Sequence, residues 1–308
     1  MIWLFRFFSF WPLAALHALG GLMGWLVWAL SPRYRQQFRA NTAQAGLTFD
    51  VTRPAIAEAG RFVAELPRLW LGAKGKSCLS NVTVEGHARA VAAFAKGKGV
   101  IFFGAHSGGF ELAPQAFAEL YGPLTAMYRP ARNASLARLE KIARDRPNLT
   151  ALPADLRSIR LMHRALKANQ GVGMLIDQVP PEGMGVWAPF FGKPAYTVTL
   201  GVRLALQTGA ALIPATCERL PHGRGYVLKF WPAMEGLSSV DASGKPDMVP
   251  AVTRMNQMLE TMILSQPGQY LWGYARYKTP RQLAPGPAGT AASEPADSAD
   301  KEAGRNAP

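Results

Sequence analysis

The sequence of 308 residues predicts an α/β protein, in which helices flank a mostly parallel central sheet and an apolar helix precedes them at the N-terminus. Short apolar runs alternate with segments of helical periodicity between residues 55 and 264. The runs are continuously apolar, which is typical of strands buried on both faces of a parallel sheet. The hydrophobic fraction of 49% is ample for a packed core and excludes a disordered or fibrous chain.

The individual elements follow from spacing and from the residues that bound them. Segments with apolar residues at helical spacing are predicted helices, and short apolar runs bounded by turn-forming residues are predicted strands. The predicted helices are 55–71, 87–96, 110–120, 135–144, 155–168, 198–207 and 252–264. The predicted strands are 81–85, 99–104, 124–128, 172–177, 211–217 and 226–231, the last two as a pair. No repeat or linker divides residues 40–280, so we expect one domain there.

A long apolar segment lies near the N-terminus. Residues 7–31 contain no Asp, Glu, Lys or Arg, and about 20 apolar residues are enough to span a bilayer core. Arg33, Arg35 and Arg39 follow the segment, which favours the cytoplasmic side for the rest of the chain. Because Pro12 weakens a straight span, residues 1–39 are predicted to form a membrane anchor that either spans the bilayer or lies in its interface.

The chain is strongly basic. Its 34 Lys and Arg exceed its 20 Asp and Glu by 14. Residues 281–308 hold three basic and four acidic residues, a net of −1, so residues 1–280 carry +15. This last segment is rich in Pro, Ala, Gly and Ser and is predicted to be a disordered tail. The positive excess indicates an anionic partner, which is nucleic acid, acidic lipid or an acidic protein.

Much of the charge is concentrated between residues 129 and 167. Ten Lys and Arg stand there against three acidic residues, a net of +7. Arginine side chains bind phosphate through paired N–H groups. The segment is therefore a candidate surface for a phosphorylated ligand, although a solvated helix face is the alternative for any one of these arginines.

The strongest local signal is the stretch GVIFFGAHSGGFELAP at residues 99–114. It predicts a buried strand that ends in a glycine-rich turn and leads into a helix, and α/β proteins bind ligands at such strand ends. His106 in the turn is a candidate general base, because imidazole accepts a proton near neutral pH. Glu111 could fix its tautomer and stabilise the imidazolium, and backbone N–H groups of the turn could face a developing oxyanion. A histidine with only a structural role is the alternative.

Other kinds of site have weaker support. Ser107 does not lie in a G-x-S-x-G elbow, so a serine nucleophile is not indicated. The remaining histidines show no H-E-x-x-H or comparable spacing, so no metal site is expected, and no cofactor motif is present. Cys78 and Cys217 are too few and too far apart for a disulfide scaffold or a zinc motif, and we expect reduced, buried thiols.

Several blocks together resemble a known family. The H-x4-E pattern of HSGGFE after an apolar strand, with the apolar, basic N-terminus, is similar to the late acyltransferases of lipid A biosynthesis in the lysophospholipid acyltransferase superfamily. The blocks at 127–146, 173–215 and 267–278 fit the same family in order and spacing. LIDQVPPEGMG departs from the F-P-E-G-T-R-type motif of glycerolipid acyltransferases, which favours the lipid A branch.

The resemblance implies an activity and a set of site residues. It implies acyl transfer from an acyl carrier protein thioester to a hydroxyl of a lipid A precursor, at the cytoplasmic face of a bacterial inner membrane, without a covalent acyl-enzyme. His106 matches the family's base and Glu111 its supporting acid. Arg129, Arg144 and Arg146 match positions expected to bind substrate, and so does Asp177, for which a turn cap is the alternative.

Three classes of function are thus distinguished. The first is a membrane-bound acyltransferase, with residues 40–280 as its domain, which uses an acyl carrier protein, a phosphorylated glycolipid acceptor and an anionic membrane. A lysophospholipid or an aminolipid is an alternative acceptor. The second is a catalytically silent lipid-binding protein, which would not need a base at the strand end. Nucleic-acid binding, the third, is disfavoured because no recognition motif accompanies the charge.

Overall fold

The structure is a computed structural model of the chain. It describes residues 2–72, 77–128, 137, 139, 140, 142, 146–153, 155–240, 243–245 and 247–282. The helices are α1 (Ile2–Ser9), α2 (Leu13–Leu30), α3 (Pro32–Gln44), α4 (Phe49–Thr52), α5 (Pro54–Leu71), α6 (His87–Phe94), α7 (Ala113–Tyr121), α8 (Leu156–Lys167), α9 (Leu200–Thr208) and α10 (Val249–Ser265). The strands are β1 (Val82–Glu85), β2 (Val100–Gly104), β3 (Leu124–Tyr128), β4 (Leu149–Pro153), β5 (Gly171–Leu175), β6 (Gly185–Phe190), β7 (Lys193–Val198), β8 (Ala211–Arg219) and β9 (Tyr226–Phe230).

Seven of these strands form the central sheet, in the order β1-β9-β8-β2-β5-β3-β4. All neighbouring pairs are parallel except β8 and β9, which are antiparallel. The predicted α/β class with a mostly parallel sheet is confirmed, as is the pairing of the last two strands. Alternate residues of β2 enter two different apolar clusters, with Ile101 and Phe103 in one and Val100 and Phe102 in the other. Because neighbouring side chains point to opposite faces of a sheet, both faces are covered by core.

Some elements differ from the prediction. The structure adds β4 and an antiparallel hairpin of β6 and β7, whose turn places Phe191 and Gly192 at φ +46° and +73°. A two-residue turn with positive φ at both central residues matches the twist of the strands that it joins. The sequence did not predict this hairpin because both strands contain proline. The helix predicted from residue 110 begins only at Ala113, since Pro114 favours its first turn. Most of the helix predicted at 135–144 lies outside the described residues, as does the segment 283–308.

The N-terminal apolar segment forms two helices separated at Pro12. By length and composition α2, with a mean hydropathy of 1.7, could cross a membrane. One face of α2 packs on α5 with backbone contacts that leave no space for side chains. A Cβ at Gly24 would lie 2.1 Å from the Ile56 carbonyl oxygen, and one at Gly60 would lie 1.9 Å from the Gly20 carbonyl oxygen. The helix is therefore packed along the domain on one side and exposed on the other.

Candidate functional site

The candidate site lies where β2 and β5 end side by side. The two strands are parallel, and Gly104 at the end of β2 pairs with Leu175 at the end of β5. The chain after β2 turns at once and carries His106, and the chain after β5 carries Asp177. Register therefore brings together two side chains that are 71 residues apart in sequence. They meet at the carboxyl edge of the sheet, where α/β folds bind ligands.

His106 is held by Asp177 at two points. The ring nitrogen Nδ1 lies 2.7 Å from Oδ1 of Asp177, and the backbone N–H of His106 donates to Oδ2 at 3.0 Å. Since an ionised carboxylate only accepts, Nδ1 carries the proton and Nε2 keeps its lone pair. The Gln178 side-chain nitrogen lies 3.2 Å from Nε2, where it can donate. This arrangement presents Nε2 of His106 as the basic atom.

Residues 270 and 271 lie beside this pair. The Leu271 N–H donates to the His106 carbonyl oxygen at 3.0 Å. Burial raises the pKa of the Tyr270 hydroxyl, and the negative charge of the nearby Asp177 carboxylate raises it further. The His106 side chain remains 22% exposed while that of Asp177 is only 4% exposed. A ligand can therefore reach the imidazole but not the carboxylate that orients it.

The surroundings shift the pKa values of both groups. Burial opposes protonation of His106, but the charge and hydrogen bond of Asp177, together with the charge of Glu111, outweigh it and raise the pKa of His106 above 6.5. Burial likewise opposes ionisation of Asp177, but His106 and then the charge of Arg276 lower the pKa of its carboxyl. At neutral pH Asp177 is thus an anion, and the imidazole beside it is made more basic.

Glu111 lies in the same cavity as His106. Its Oε2 accepts a hydrogen bond from the Trp70 indole nitrogen at 3.2 Å, and its charge is felt by His106. The carboxylate bonded to Nδ1 is that of Asp177, a residue for which the sequence indicated a substrate-binding or turn-capping position. Both acidic residues therefore act on the same imidazole, Asp177 through a hydrogen bond and Glu111 through its charge.

The backbone of the glycine turn is already engaged. The N–H of Ser107 donates to the Ala105 carbonyl oxygen at 2.8 Å, and that of Gly109 donates to the Cys217 carbonyl oxygen at 2.7 Å. The N–H of Gly108 donates to the Gln269 carbonyl oxygen at 3.2 Å. These three N–H groups are thus bonded to carbonyl oxygens of the turn, of β8 and of residue 269, and they do not face an oxyanion in this conformation.

A cavity of about 470 Å³ adjoins His106, and small residues on the sheet create it. A row of paired residues crosses the sheet beneath it, with Gly173 paired to Phe102 on one side and to Ala126 on the other. Ala126 pairs in turn with Ala151. Residues directly opposite each other share a face, so this row forms a shallow trough that ends at the Phe102 ring. The trough spans three strand intervals, about 14 Å in all.

The predicted arginines are only partly described. Arg129 and Arg144 lie outside the described residues. Arg146 donates from Nη2 to the carbonyl oxygens of Leu69 at 3.0 Å and Trp70 at 3.3 Å, at the last turn of α5. A cation is favourable there because the end of a helix carries partial negative charge. The structure thus places Arg146 as a cap of α5, close to the Trp70 side chain that lines the cavity.

Sequence reasoning missed several participants. Gln178 and Tyr270 stand in the blocks LIDQ and PGQYLW, but no spacing rule relates them to His106. Trp70 lies in the last turn of α5 and belongs to no motif. The two cysteines are free; Cys217 is buried as expected, whereas Cys78 is only partly buried. Among the described residues, no three His, Cys, Asp or Glu side chains converge as metal ligands would.

The fold and this geometry define a class of protein, namely an α/β protein with a histidine held by a carboxylate beside a largely apolar cavity. The family model described as bacterial lipid A biosynthesis acyltransferase matches residues 2–279. The chain therefore belongs to that family, as the resemblance of its motifs indicated.

Individual relatives agree with this assignment. The chain is 30% identical to the lipid A biosynthesis lauroyltransferase of Escherichia coli (strain K12) over 186 residues, which are 60% of this chain and 58% of that protein. It is 31% identical to the palmitoleoyltransferase of the same organism over 59% of this chain and 56% of that protein. A phosphatidylinositol mannoside acyltransferase of Mycobacterium tuberculosis is 26% identical over 47% of this chain and 46% of that protein. In each case the match covers less than two thirds of the relative's own length.

Proposed function

We propose that the protein transfers a fatty acyl chain from an acyl carrier protein thioester to a hydroxyl of a lipid A precursor. The observation that carries the proposal is the His106–Asp177 pair, which presents a basic Nε2 at the mouth of an apolar cavity in a chain of this family. A protein that only bound lipid would have no use for an imidazole whose pKa is raised by a buried carboxylate.

The proposed reaction is a direct transfer. Nε2 of His106 takes the proton of the acceptor hydroxyl as its oxygen attacks the thioester carbonyl carbon. The tetrahedral intermediate then collapses, the carbon–sulfur bond breaks, and the imidazolium returns the proton to the leaving thiolate. Asp177 stabilises the imidazolium between these two steps, and Glu111 adds a second negative charge nearby. No bond between the acyl group and the protein forms.

The positive charge of this protein supports the proposal that an acyl carrier protein is the donor. Residues 1–280 carry +15, and a positive surface attracts an acidic partner and accelerates its encounter. Arg129, Arg144 and Arg146 are proposed to contribute positive charge near the cavity, for the phosphopantetheine arm or for phosphate on the acceptor.

A reconstituted assay tests the function. Purified protein is supplied with a labelled acyl group on carrier protein or on coenzyme A, and with a lipid A precursor as acceptor. We expect an acylated lipid A product, formed faster from the carrier protein donor than from coenzyme A. Absence of product from both donors would contradict the proposed activity, and equal rates would contradict the proposed carrier specificity.

A different acceptor is the second candidate, because glycolipids other than lipid A are named among the relatives. Phosphatidylinositol mannoside acyltransferases match 47% and 65% of this chain at 26% and 24% identity. The same assay with a lysophospholipid, an aminolipid or a mannosylated phosphoinositide separates these acceptors. A preference for one of them over the lipid A precursor would replace the acceptor but leave the transfer chemistry in place.

The trough across the sheet is proposed to hold the acyl chain, and Gly173 offers a direct test. A Cβ at Gly173 would lie 3.8 Å from Leu124 Cδ2 and 3.9 Å from Ala126 Cβ, both ordinary contacts. A Cβ therefore fits on the strand, and the methyl groups of valine would take up part of the trough. Each methylene of the donor that no longer fits loses about 0.8 kcal/mol of burial, roughly fourfold in kcat/KM. We expect Gly173→Val to shift donor preference to shorter chains, measured with carrier protein donors of graded length. Gly173→Ala should shift it less, and an unchanged preference in both variants would contradict this location.

The protein is proposed to lie on the cytoplasmic face of the inner membrane with α1 and α2 in the interface. The two helices and the residues between them expose large apolar side chains, among them Phe10 at 83% and Leu30 at 74%. The inner face of α2 includes a buried hydrogen bond between His17 and Glu65 of α5. A helix that spans the bilayer would be surrounded by lipid and would lose the His17–Glu65 hydrogen bond, whereas an interfacial helix keeps it.

Vesicle binding tests this placement. We expect the protein to float with anionic vesicles and to be released by carbonate at high pH, as an interfacial protein is. Replacing Phe7 and Phe10 together by serine should weaken binding at least tenfold, since each exposed ring contributes about 1.5–3 kcal/mol when buried in lipid. Trp187→Ser removes an aromatic ring elsewhere that is 47% exposed, and it should leave binding unchanged. Resistance of the wild type to carbonate would show a spanning anchor instead.

A further inference from the structure

A buried ionic cluster lies behind the site and takes no direct part in the proposed chemistry. Arg219 at the end of β8 is 3% exposed, and its partners Glu65 and Glu58 on α5 are 0% and 7% exposed. Its Nε donates to Glu65 Oε2 at 2.8 Å and its Nη2 to Oε1 at 2.5 Å, while Nη1 donates to Glu58. A buried ion pair rarely stabilises a fold more than an apolar pair of the same size would. The cluster therefore calls for an explanation other than stability.

The explanation lies in a further contact of the same guanidinium. Nη2 of Arg219 also donates to the Gly108 carbonyl oxygen at 2.9 Å. Gly108 is two residues beyond His106 and has φ +57°, and a Cβ there would lie 2.3 Å from the Cys217 carbonyl oxygen. The turn that carries His106 is thus packed closely against β8. Arg219 donates a hydrogen bond to the Gly108 carbonyl oxygen of that turn.

A second side chain joins Arg219 to the same turn. The Gln269 side chain accepts from the Arg219 N–H and donates to the Arg219 carbonyl oxygen, both at 2.9 Å. The Gln269 carbonyl oxygen accepts the Gly108 N–H. Both polar groups of Gly108 are therefore bonded within one unit formed by Arg219 and Gln269.

The other end of the cluster reaches the apolar N-terminal helix. His17 of α2 lies 2.9 Å from Glu65 Oε2 through its Nε2, and the Tyr226 hydroxyl donates to the same oxygen at 2.9 Å. An unbroken series of hydrogen bonds thus runs from α2 through Glu65 and Arg219 to Gly108. The helix that we place in the membrane interface and the turn that carries His106 share one buried support.

We propose that Arg219 is a positioning residue, which holds the His106 turn through the Gly108 carbonyl and is itself held by Glu65 and Glu58. The inference rests on the proposed function for its effect on acyl transfer, but not for its effect on the histidine. A displacement of a catalytic group by about 1 Å can cost on the order of 10²-fold in rate. A loosened turn also draws the His106 ring away from the Asp177 oxygen that it bonds.

Arg219→Lys tests the proposal with a matched control. Lysine keeps the positive charge for the two glutamates, but its single ammonium cannot reproduce the planar fork that bonds Glu65, Glu58 and Gly108 together. Arg61→Lys is the same exchange in the same cluster, and the contacts of Arg61 are Glu58 and the His17 carbonyl. We expect Arg219→Lys to lower kcat by ~10–10²-fold with KM within about twofold of wild type, and Arg61→Lys to change neither.

A second readout does not depend on substrate. The titration of His106 is followed by NMR of histidine-labelled protein and assigned with a His106→Asn spectrum. The charged groups that raise its pKa are Asp177 and Glu111. We expect Arg219→Lys to bring the pKa of His106 back toward 6.5 and Arg61→Lys to leave it in place. If Arg219→Lys does not fold, the isosteric Glu65→Gln, which releases one side of the guanidinium, should move the titration in the same direction.

The outcomes separate this proposal from the proposed function. Wild-type kcat and wild-type His106 titration in Arg219→Lys would overturn the positioning role, and so would an equal loss in Arg61→Lys. A protein without transferase activity, in which Arg219→Lys still shifts the His106 titration, would overturn the proposed function and leave the positioning role standing.

Discussion

His106→Ala should reduce acyl transfer by ~10²–10⁴-fold in kcat, the usual contribution of a positioned general base. The variant keeps the cavity and the turn backbone, because the His106 side chain lies at the cavity mouth and the turn is held by Arg219 and Gln269. What it removes is the atom that we propose takes the acceptor's proton. Donor KM should therefore stay within a few-fold of wild type while kcat falls.

The control for this prediction is His87→Ala. His87 is an exposed histidine at the start of α6, where Nδ1 lies 2.9 Å from the Tyr121 hydroxyl. Its removal should leave kcat unchanged in the carrier protein assay. Full activity of His106→Ala with an unchanged protein fold would show that proton transfer from the acceptor does not pass through this residue, and the direct mechanism would be wrong.

Much of the fold could be predicted because it depends on local patterns. The continuous apolar run of residues 99–104 identified β2, and the helical spacing of residues 55–71 identified α5 to within a residue at its start. Elements without such a pattern were missed. In β6 and β7, each strand contains a proline beside the turn, at Pro189 and Pro194, which pair with each other. Proline donates no ladder hydrogen bond and is a signal against strands.

The site was predictable in part for the same reason. His106 was found because the strand, the glycine turn and the following helix are contiguous in sequence. Glu111 is paired with His106 for the same reason, because both belong to one short stretch of sequence. Asp177 is bonded to Nδ1 because β2 and β5 are neighbours, and strand order is not readable from apolar runs. Arg219 is more remote still, since its contact with the turn requires β8 to flank β2 on the other side.

The members of the basic charge pattern have mixed roles. Some of these arginines stabilise the fold itself. Arg35 donates to the carbonyl oxygens of Trp28 and Ala29 at the end of α2, and Arg146 does the same for α5. These positions stabilise helix termini because cations favour the carboxyl end of a helix. A count of charge along the sequence does not distinguish such caps from residues that face a ligand.

Asp177→Asn should reduce kcat by ~10²–10⁴-fold and should also move the acidic limb of the pH profile. The base works only when neutral, so kcat/KM rises with pH through the pKa of His106 in the free enzyme. Asp177 raises that pKa above 6.5 in the wild type. Asparagine removes the charge, so the pKa of His106 falls and the acidic limb moves to lower pH. Profiles of kcat/KM between about pH 5 and 9 measure both effects.

Glu111→Gln separates the roles of the two carboxylates. The charge of Glu111 also raises the pKa of His106, but by less than the charge of Asp177 does. The hydrogen bond from Nδ1 to Asp177 remains in this variant. We therefore expect the acidic limb to move in the same direction and by less than in Asp177→Asn. A large loss of kcat with a nearly unmoved limb would assign Glu111 to the substrate, because a group that acts on the imidazole must shift its titration. If Asp177→Asn left the limb in place and Glu111→Gln moved it, the carboxylate that supports the base would be Glu111, and the hydrogen bond from Nδ1 to Asp177 would serve the turn alone.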